Sequence, residues 1–289
     1  MIRRLDAELL LDARAELAEG PVWDARDNRL LWVDIHAGLI HRLDVNSGVD
    51  DLIRLGTDVG AVVPRTQGGY LAAVRGGFVA VTEGGMVLAV ATAGGPGLRM
   101  NDGKCAPDGA FWAGTMADDL THGAGSLYRL AVDGSLSVRL RGVTISNGLG
   151  FTEDGRLYYV DTALHRIDVF DVAPTTQMLN NRRPFWQFPQ GGGSPDGMAL
   201  DDDGCVWVAL WGGGAVHRYT PNGVLDTVVT VAAPHVTSCA FGGAAGDELL
   251  ITSARTALTE AQRASHPLAG ALFRCRPGVT GPAGMPFAG

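Results

Sequence analysis

The chain alternates between turn-forming clusters and short apolar runs, and the alternation repeats. Leu30-Leu31-Trp32-Val33 follows Asp27-Asn28, Tyr70-Leu71-Ala72-Ala73 follows Gly68-Gly69, and Phe111-Trp112-Ala113 follows Asp108-Gly109. Leu157-Tyr158-Tyr159-Val160 follows Asp154-Gly155, Val206-Trp207-Val208 follows Asp203-Gly204, and Leu249-Leu250-Ile251 follows Gly246-Asp247. Marked at Leu31, Leu71, Trp112, Tyr158, Trp207 and Leu250, the intervals are 40, 41, 46, 49 and 43 residues, the period of β-propeller blades. Half-polar stretches such as 39–43, 126–130, 215–219 and 271–275 come next and alternate between faces, as half-buried strands do. Turns such as Asp133-Gly134 and Asn222-Gly223 then lead to a fourth strand, because Asn-Gly and Asp-Gly tolerate positive φ. The pattern predicts an all-β chain: one domain, 1–289, folded as a six-bladed β-propeller with four-stranded antiparallel blades. Helix is expected only as a single turn at 259–263.

One phase of the repeat carries polar chemistry. Twelve residues before Leu31 stands Glu19, and eleven before Trp112, Tyr158 and Trp207 stand Asn101, Asn147 and Asp196. The same step from Leu71 and Leu250 reaches Gly60 and Cys239. Asn-Gly and Asp-Gly are ordinary turn dipeptides one at a time. Four side-chain oxygens at one phase, each closely followed by glycine, exceed what turn chemistry requires. The first strand of a blade is the innermost, so these positions form a ring around the axis. A ring of carboxylate and amide oxygens without Cys or His suits a hard cation such as Ca2+, Mg2+ or Mn2+.

Composition narrows the classes. A net charge of −8 and a pI near 5.3 argue against a nucleic-acid partner, which needs a basic face. Asp6, Glu8 and Asp12 interrupt any signal-like apolar segment at the start, and no run is long enough to span a membrane. Cys105, Cys205, Cys239 and Cys275 form no CxxC pair and are expected as buried free thiols of a cytoplasmic protein. Lys104, the single lysine, is expected to lie along the surface with its ammonium in solvent. Trp211, beside Gly212-Gly213-Gly214, is expected to pack within a blade, with a place in the wall of the substrate mouth as the alternative, and His235 to lie on the core or rim near the channel. Gly192-Gly193-Ser194-Pro195-Asp196 is not a GxSxG elbow, and no P-loop or HExxH motif occurs.

The chain resembles the SMP-30/gluconolactonase family, also called regucalcin-like, nearly end to end. The resemblance rests on Glu19-Gly20-Pro21-Val22-Trp23, Arg99-Met100-Asn101-Asp102-Gly103-Lys104, Ala113-Gly114-Thr115-Met116, Gly125-Ser126-Leu127-Tyr128, Ile145-Ser146-Asn147-Gly148-Leu149, Pro195-Asp196-Gly197 and Leu210-Trp211-Gly212-Gly213. It implies that Glu19, Asn147 and Asp196 hold one divalent metal ion, Ca2+ first, with Zn2+, Mg2+, Mn2+ or Fe2+ as alternatives. It implies that Arg99 and Asn101 contact substrate, and that Asp119, where the family more often has glutamate, takes sugar hydroxyls. The implied activity is hydrolysis of an aldonolactone such as gluconolactone, xylonolactone or arabinolactone, a small-molecule partner.

A lactone is an ester, so its hydrolysis passes through a tetrahedral oxyanion that a Lewis acid stabilises. Asp196 is the candidate general base toward the attacking water, and activation of that water by the metal alone is equally allowed. Asp102 is expected to order its segment without touching substrate. Two other classes compete: a calcium-binding protein without turnover, and a non-catalytic interaction propeller. Neither needs Arg99, Asn101 and Asp119 beside an oxygen ring.

Overall fold

The structure, a computed structural model, describes residues 1–289. It is almost entirely strand, arranged in consecutive antiparallel meanders. The first comprises Ala18–Asp24, Arg29–Asp34, Leu39–Leu43 and Asp50–Arg54; the second Val59–Pro64, Tyr70–Val74, Gly77–Val81 and Val87–Thr92. Leu98–Cys105, Phe111–Ala117, Gly125–Leu130 and Leu136–Val143 form the third; Ser146–Phe151, Arg156–Asp161, Arg166–Val172 and Leu179–Gln187 the fourth. The fifth holds Ser194–Leu200, Val206–Trp211, Ala215–Tyr219 and Leu225–Thr230. His235–Gly242, Glu248–Ala254 and Leu272–Cys275 make three strands of the sixth.

The fourth strand of the sixth unit comes from the start of the chain. Glu8–Leu11 pairs antiparallel with Leu272–Cys275, and Arg3–Asp6 adds in parallel to the outer edge of the fifth unit. The repeat pattern does not foretell this, because the pairing joins segments some 260 residues apart and leaves no local signature. The first strands of the six units touch one another in cyclic order, the sixth returning to the first, which closes a propeller-type ring. The marked residues of the repeat all lie on second strands, where Trp32, Trp112, Trp207, Tyr158 and Tyr159 are fully buried between units. The single α-helix is Glu260–Ser265, capped by Thr259 with Gln262 in reciprocal hydrogen bonds.

After the last strand the chain runs across one end of the ring. Gly281 N–H donates to Gly246 O, Gly284 N–H to Trp23 O, Phe287 N–H to Pro64 O and Ala288 N–H to Gly109 O. This tail therefore touches the sixth, first, second and third units in turn. Pro282, Ala283, Gly284 and Met285 cover a small apolar cavity on the axis, whose wall includes Val22, Val63, Lys104, Gly150, Ala199 and Ala240 from the six inner strands. All four cysteines are free and buried, and no helix is long and apolar enough to cross a membrane.

Candidate functional site

Every inner strand carries one extra residue at the same phase. The register slips between Glu19 and Val22, Val59 and Ala61, Met100 and Gly103, Ser146 and Leu149, Pro195 and Met198, and Val236 and Ser238. A bulge re-aims the side chains beside it, and six of them at one level bring Glu19, Asn101, Asn147 and Asp196 to one cavity, with Gly60 and Thr237 at the same level of the second and sixth units. Thr237 takes the place expected for Cys239, because the first hairpin of the sixth unit has one more paired rung than those of the second to fifth, with a turn of the same length. Neighbouring strands approach closely here: a Cβ on Gly148 would lie 2.6 Å from Asp196 O, so only glycine fits.

Two aspartates brace the segments leading into these strands. Asp34 accepts the N–H groups of Glu16 and Leu17 at 3.0 and 3.2 Å, just ahead of Glu19. Asp161 accepts those of Thr144 and Ile145 at 2.9 and 3.0 Å, just ahead of Asn147. Each aspartate ends a second strand, so the hairpin itself holds its inner strand's polar residue in place.

A cavity of about 430 Å3 opens over the ring. Glu19, Arg99, Asn101, Asn147 and Asp196 line its floor, with Met116, Leu120, Ser194 and Trp211 among the walls. Its size is in the range of small-ligand sites. The floor is strongly electronegative. Burial, then the nearby Asp102 carboxylate, pushes Glu19 up to about 8. Burial, then Glu19 and Asp102, raises Asp196 well above the usual carboxylate range. Asp196 Oδ1 is buried and has no hydrogen-bond partner. Two carboxylates forced together, one with an orphaned oxygen, and an amide oxygen beside them are a donor set that fits a hard divalent cation.

Arg99 is buried, not superficial, and its hydrogen bonds use only Nη1, to Met100 O at 3.1 Å and Asn101 Oδ1 at 2.6 Å. Asn101 Nδ2 donates to Ser146 O at 2.6 Å and Asn147 Oδ1 at 2.8 Å. Asp119 stands apart from this group. Its exposed carboxylate accepts the N–H and hydroxyl of Thr121 at 3.0 and 2.7 Å, while its neighbour Leu120 lines the mouth.

One of the expectations changes here. Lys104 does not extend into solvent: its ammonium donates to Met198 O at 2.7 Å across the channel and faces Asp102, since a carbonyl and a carboxylate there replace water. Trp211 meets both readings held for it: it packs against the core and lines the cavity mouth, stacked on His235 with ring centroids 4.1 Å apart. Thr162, unremarked in the sequence, joins the floor by accepting from Asn147 Nδ2 at 2.8 Å. The available signal was the Asp161-Thr162 pair at the end of a second strand. Asp102 is buried behind Asn101 and accepts Gly103 N–H at 2.7 Å, as an ordering residue should.

The family model described as SMP-30/Gluconolactonase/LRE-like region matches residues 17–255. The chain belongs to this family. Among its curated members, the 6-deoxy-6-sulfogluconolactonase of Pseudomonas putida is 36% identical over 94% of this chain and 95% of its own. Regucalcin of Danio rerio is 35% identical over 93% and 94%. A crystal structure of a calcium-binding protein, regucalcin, from Agrobacterium tumefaciens superposes with a TM-score of 0.94 at 28% identity, covering 99% of each chain. As a family member the chain is thus similar to a lactone hydrolase over 94% of its length.

Proposed function

We propose that this family member is a divalent-metal-dependent hydrolase that opens the ring of a sugar lactone to the aldonic acid, on a single six-bladed propeller domain spanning 1–289. The observation that carries the proposal is the floor of the cavity, where the orphaned Asp196 oxygen, Glu19 and the Asn147 amide oxygen converge beside Arg99. Glu19, Asn147 and Asp196 would hold the ion, with Ca2+ the first candidate among hard cations. When bound, such an ion supplies Lewis-acid polarisation of an ester carbonyl.

The remaining chemistry belongs to the chain's own residues. Asp196 takes the proton of the attacking water as its oxygen bonds to the carbonyl carbon. The free N–H groups of Arg99 steady the developing oxyanion. Collapse breaks the bond to the ring oxygen, which receives the proton held by Asp196 and leaves as a hydroxyl. Asn101, whose Nδ2 protons go to Ser146 O and Asn147 Oδ1, accepts a substrate hydroxyl or an ion-bound water through its Oδ1, and Asp119 takes a hydroxyl at the mouth on release from Thr121. Four buried free thiols support a cytoplasmic location.

The test is acid release from gluconolactone, xylonolactone and arabinolactone, followed by pH-stat with Ca2+, Mn2+ or Zn2+ and after chelation. Metal-dependent turnover of at least one is expected, and Asp196→Ala is expected to abolish both turnover and metal binding. Ion binding without turnover of any lactone would favour a calcium-binding protein instead, and neither would leave an interaction propeller.

A further inference from the structure

The hydrogen bonds around the floor form a chain whose direction is fixed at both ends. A guanidinium only donates, so Arg99 Nη1, 2.6 Å from the Asn101 amide, meets its oxygen. Asn101 Nδ2 is then the donor to Asn147 Oδ1 at 2.8 Å, and Asn147 Nδ2 the donor to Thr162 Oγ1 at 2.8 Å. At the far end, the one hydroxyl proton of Thr162 goes to Pro195 O at 2.8 Å, and a carbonyl only accepts. Thr162 can therefore meet Asn147 only as an acceptor. The chain links the third, fourth and fifth units and ends on the residue before Asp196.

We infer that Thr162 is a positioning residue that, together with Asn101 at the other end of the chain, decides which end of the Asn147 amide faces the cavity. The two ends of an amide fill nearly the same space, and only one presents an oxygen to a cation. With Nδ2 claimed by Thr162, Oδ1 turns inward; one of its lone pairs takes Asn101 and the other is left for an ion. Through Pro195 the same hydroxyl also ties the carbonyl preceding Asp196 to the Asn147 side chain. Thr162 is held by its own N–H, which donates to Ile145 O at 3.1 Å. This inference deepens the metal reading of the site and rests on it for the role of the oxygen.

Thr162→Val keeps the shape and removes both hydroxyl bonds, whereas Thr162→Ser keeps them. In metal-free protein, the side-chain amide resonances of Asn101 and Asn147 are expected to shift in Thr162→Val and to stay in Thr162→Ser. By calorimetric titration with Ca2+ and Mn2+, Thr162→Val is expected to lose about 10- to 100-fold in affinity, as orienting partners of metal ligands do, and Thr162→Ser to stay within about threefold. Unmoved Asn147 resonances in Thr162→Val overturn the inference, as does an affinity loss in Thr162→Ser equal to that in Thr162→Val. Wild-type protein that binds neither ion refutes the metal reading, and the resonance comparison then decides the hydrogen-bond chain by itself. If Thr162→Val fails to fold, Thr162→Ala is read the same way.

Discussion

At the scale of single residues, the floor of the cavity is an arrangement of groups that are costly to bury unless compensated. Burial raises Glu19 and Asp196; the Asp102 carboxylate raises Glu19 further, and Glu19 and Asp102 together raise Asp196. Arg99 is the near cation, and burial lowers it in turn. Asp119 differs from these: it is exposed, bonded to Thr121, and its carboxylate is held below its usual range chiefly by the Thr121 hydroxyl. If its role is with sugar hydroxyls, Asp119→Ala should raise KM several-fold while leaving ion affinity unchanged, and an unaltered KM for every lactone would remove it from the substrate site. Glu19, Asn101, Asn147 and Asp196 were legible beforehand because each sits at one phase of a repeat. Lys104 was not, because the hydrophilicity of lysine points to solvent and the Met198 carbonyl that receives it comes from a strand 94 positions away. Thr162 was not, because a threonine beyond a strand end carries no periodic mark.

At the scale of elements, the repeat was readable where turns were uniform. The sixth unit broke the rule twice: the extra rung of its first hairpin placed Thr237, not Cys239, at the ring level, and its outer strand came from the opposite end of the chain. Both depend on hairpin length or on long-range pairing, which apolar periodicity does not encode. Glu8–Leu11 pairs at three positions with the sixth unit, and Leu10 and Leu11 pack on the core that includes Trp23 and Leu272. At roughly 1 kcal/mol per lost hydrogen bond, removing residues 1–11 should cost about 3 kcal/mol or more. The midpoint of chemical denaturation measures this. A midpoint equal to that of the intact chain would mean that the ring closes without this strand.

At the scale of the whole molecule, four of the six inner strands bring together Glu19, Asn101, Asn147 and Asp196, no two of them near neighbours in the chain. The ring rests on buried aromatic packing between units, so it is expected to remain folded when a chelator is added. An ion that binds only the folded ring adds about 2.7 kcal/mol at a hundredfold excess over Kd, or roughly 4–8 °C in Tm. Thermal melts with and without Ca2+ check this, and identical curves would count against an ion at the floor. The C-terminal tail has a separate consequence. The cavity over the ring and the apolar one beneath the tail share no lining residue, and the Lys104–Met198 hydrogen bond reaches across the channel, so we expect substrate and product to share one mouth. Whatever reaches Asp196 arrives and departs by the same doorway past Trp211 and Leu120, and an acid formed there must back out against incoming substrate.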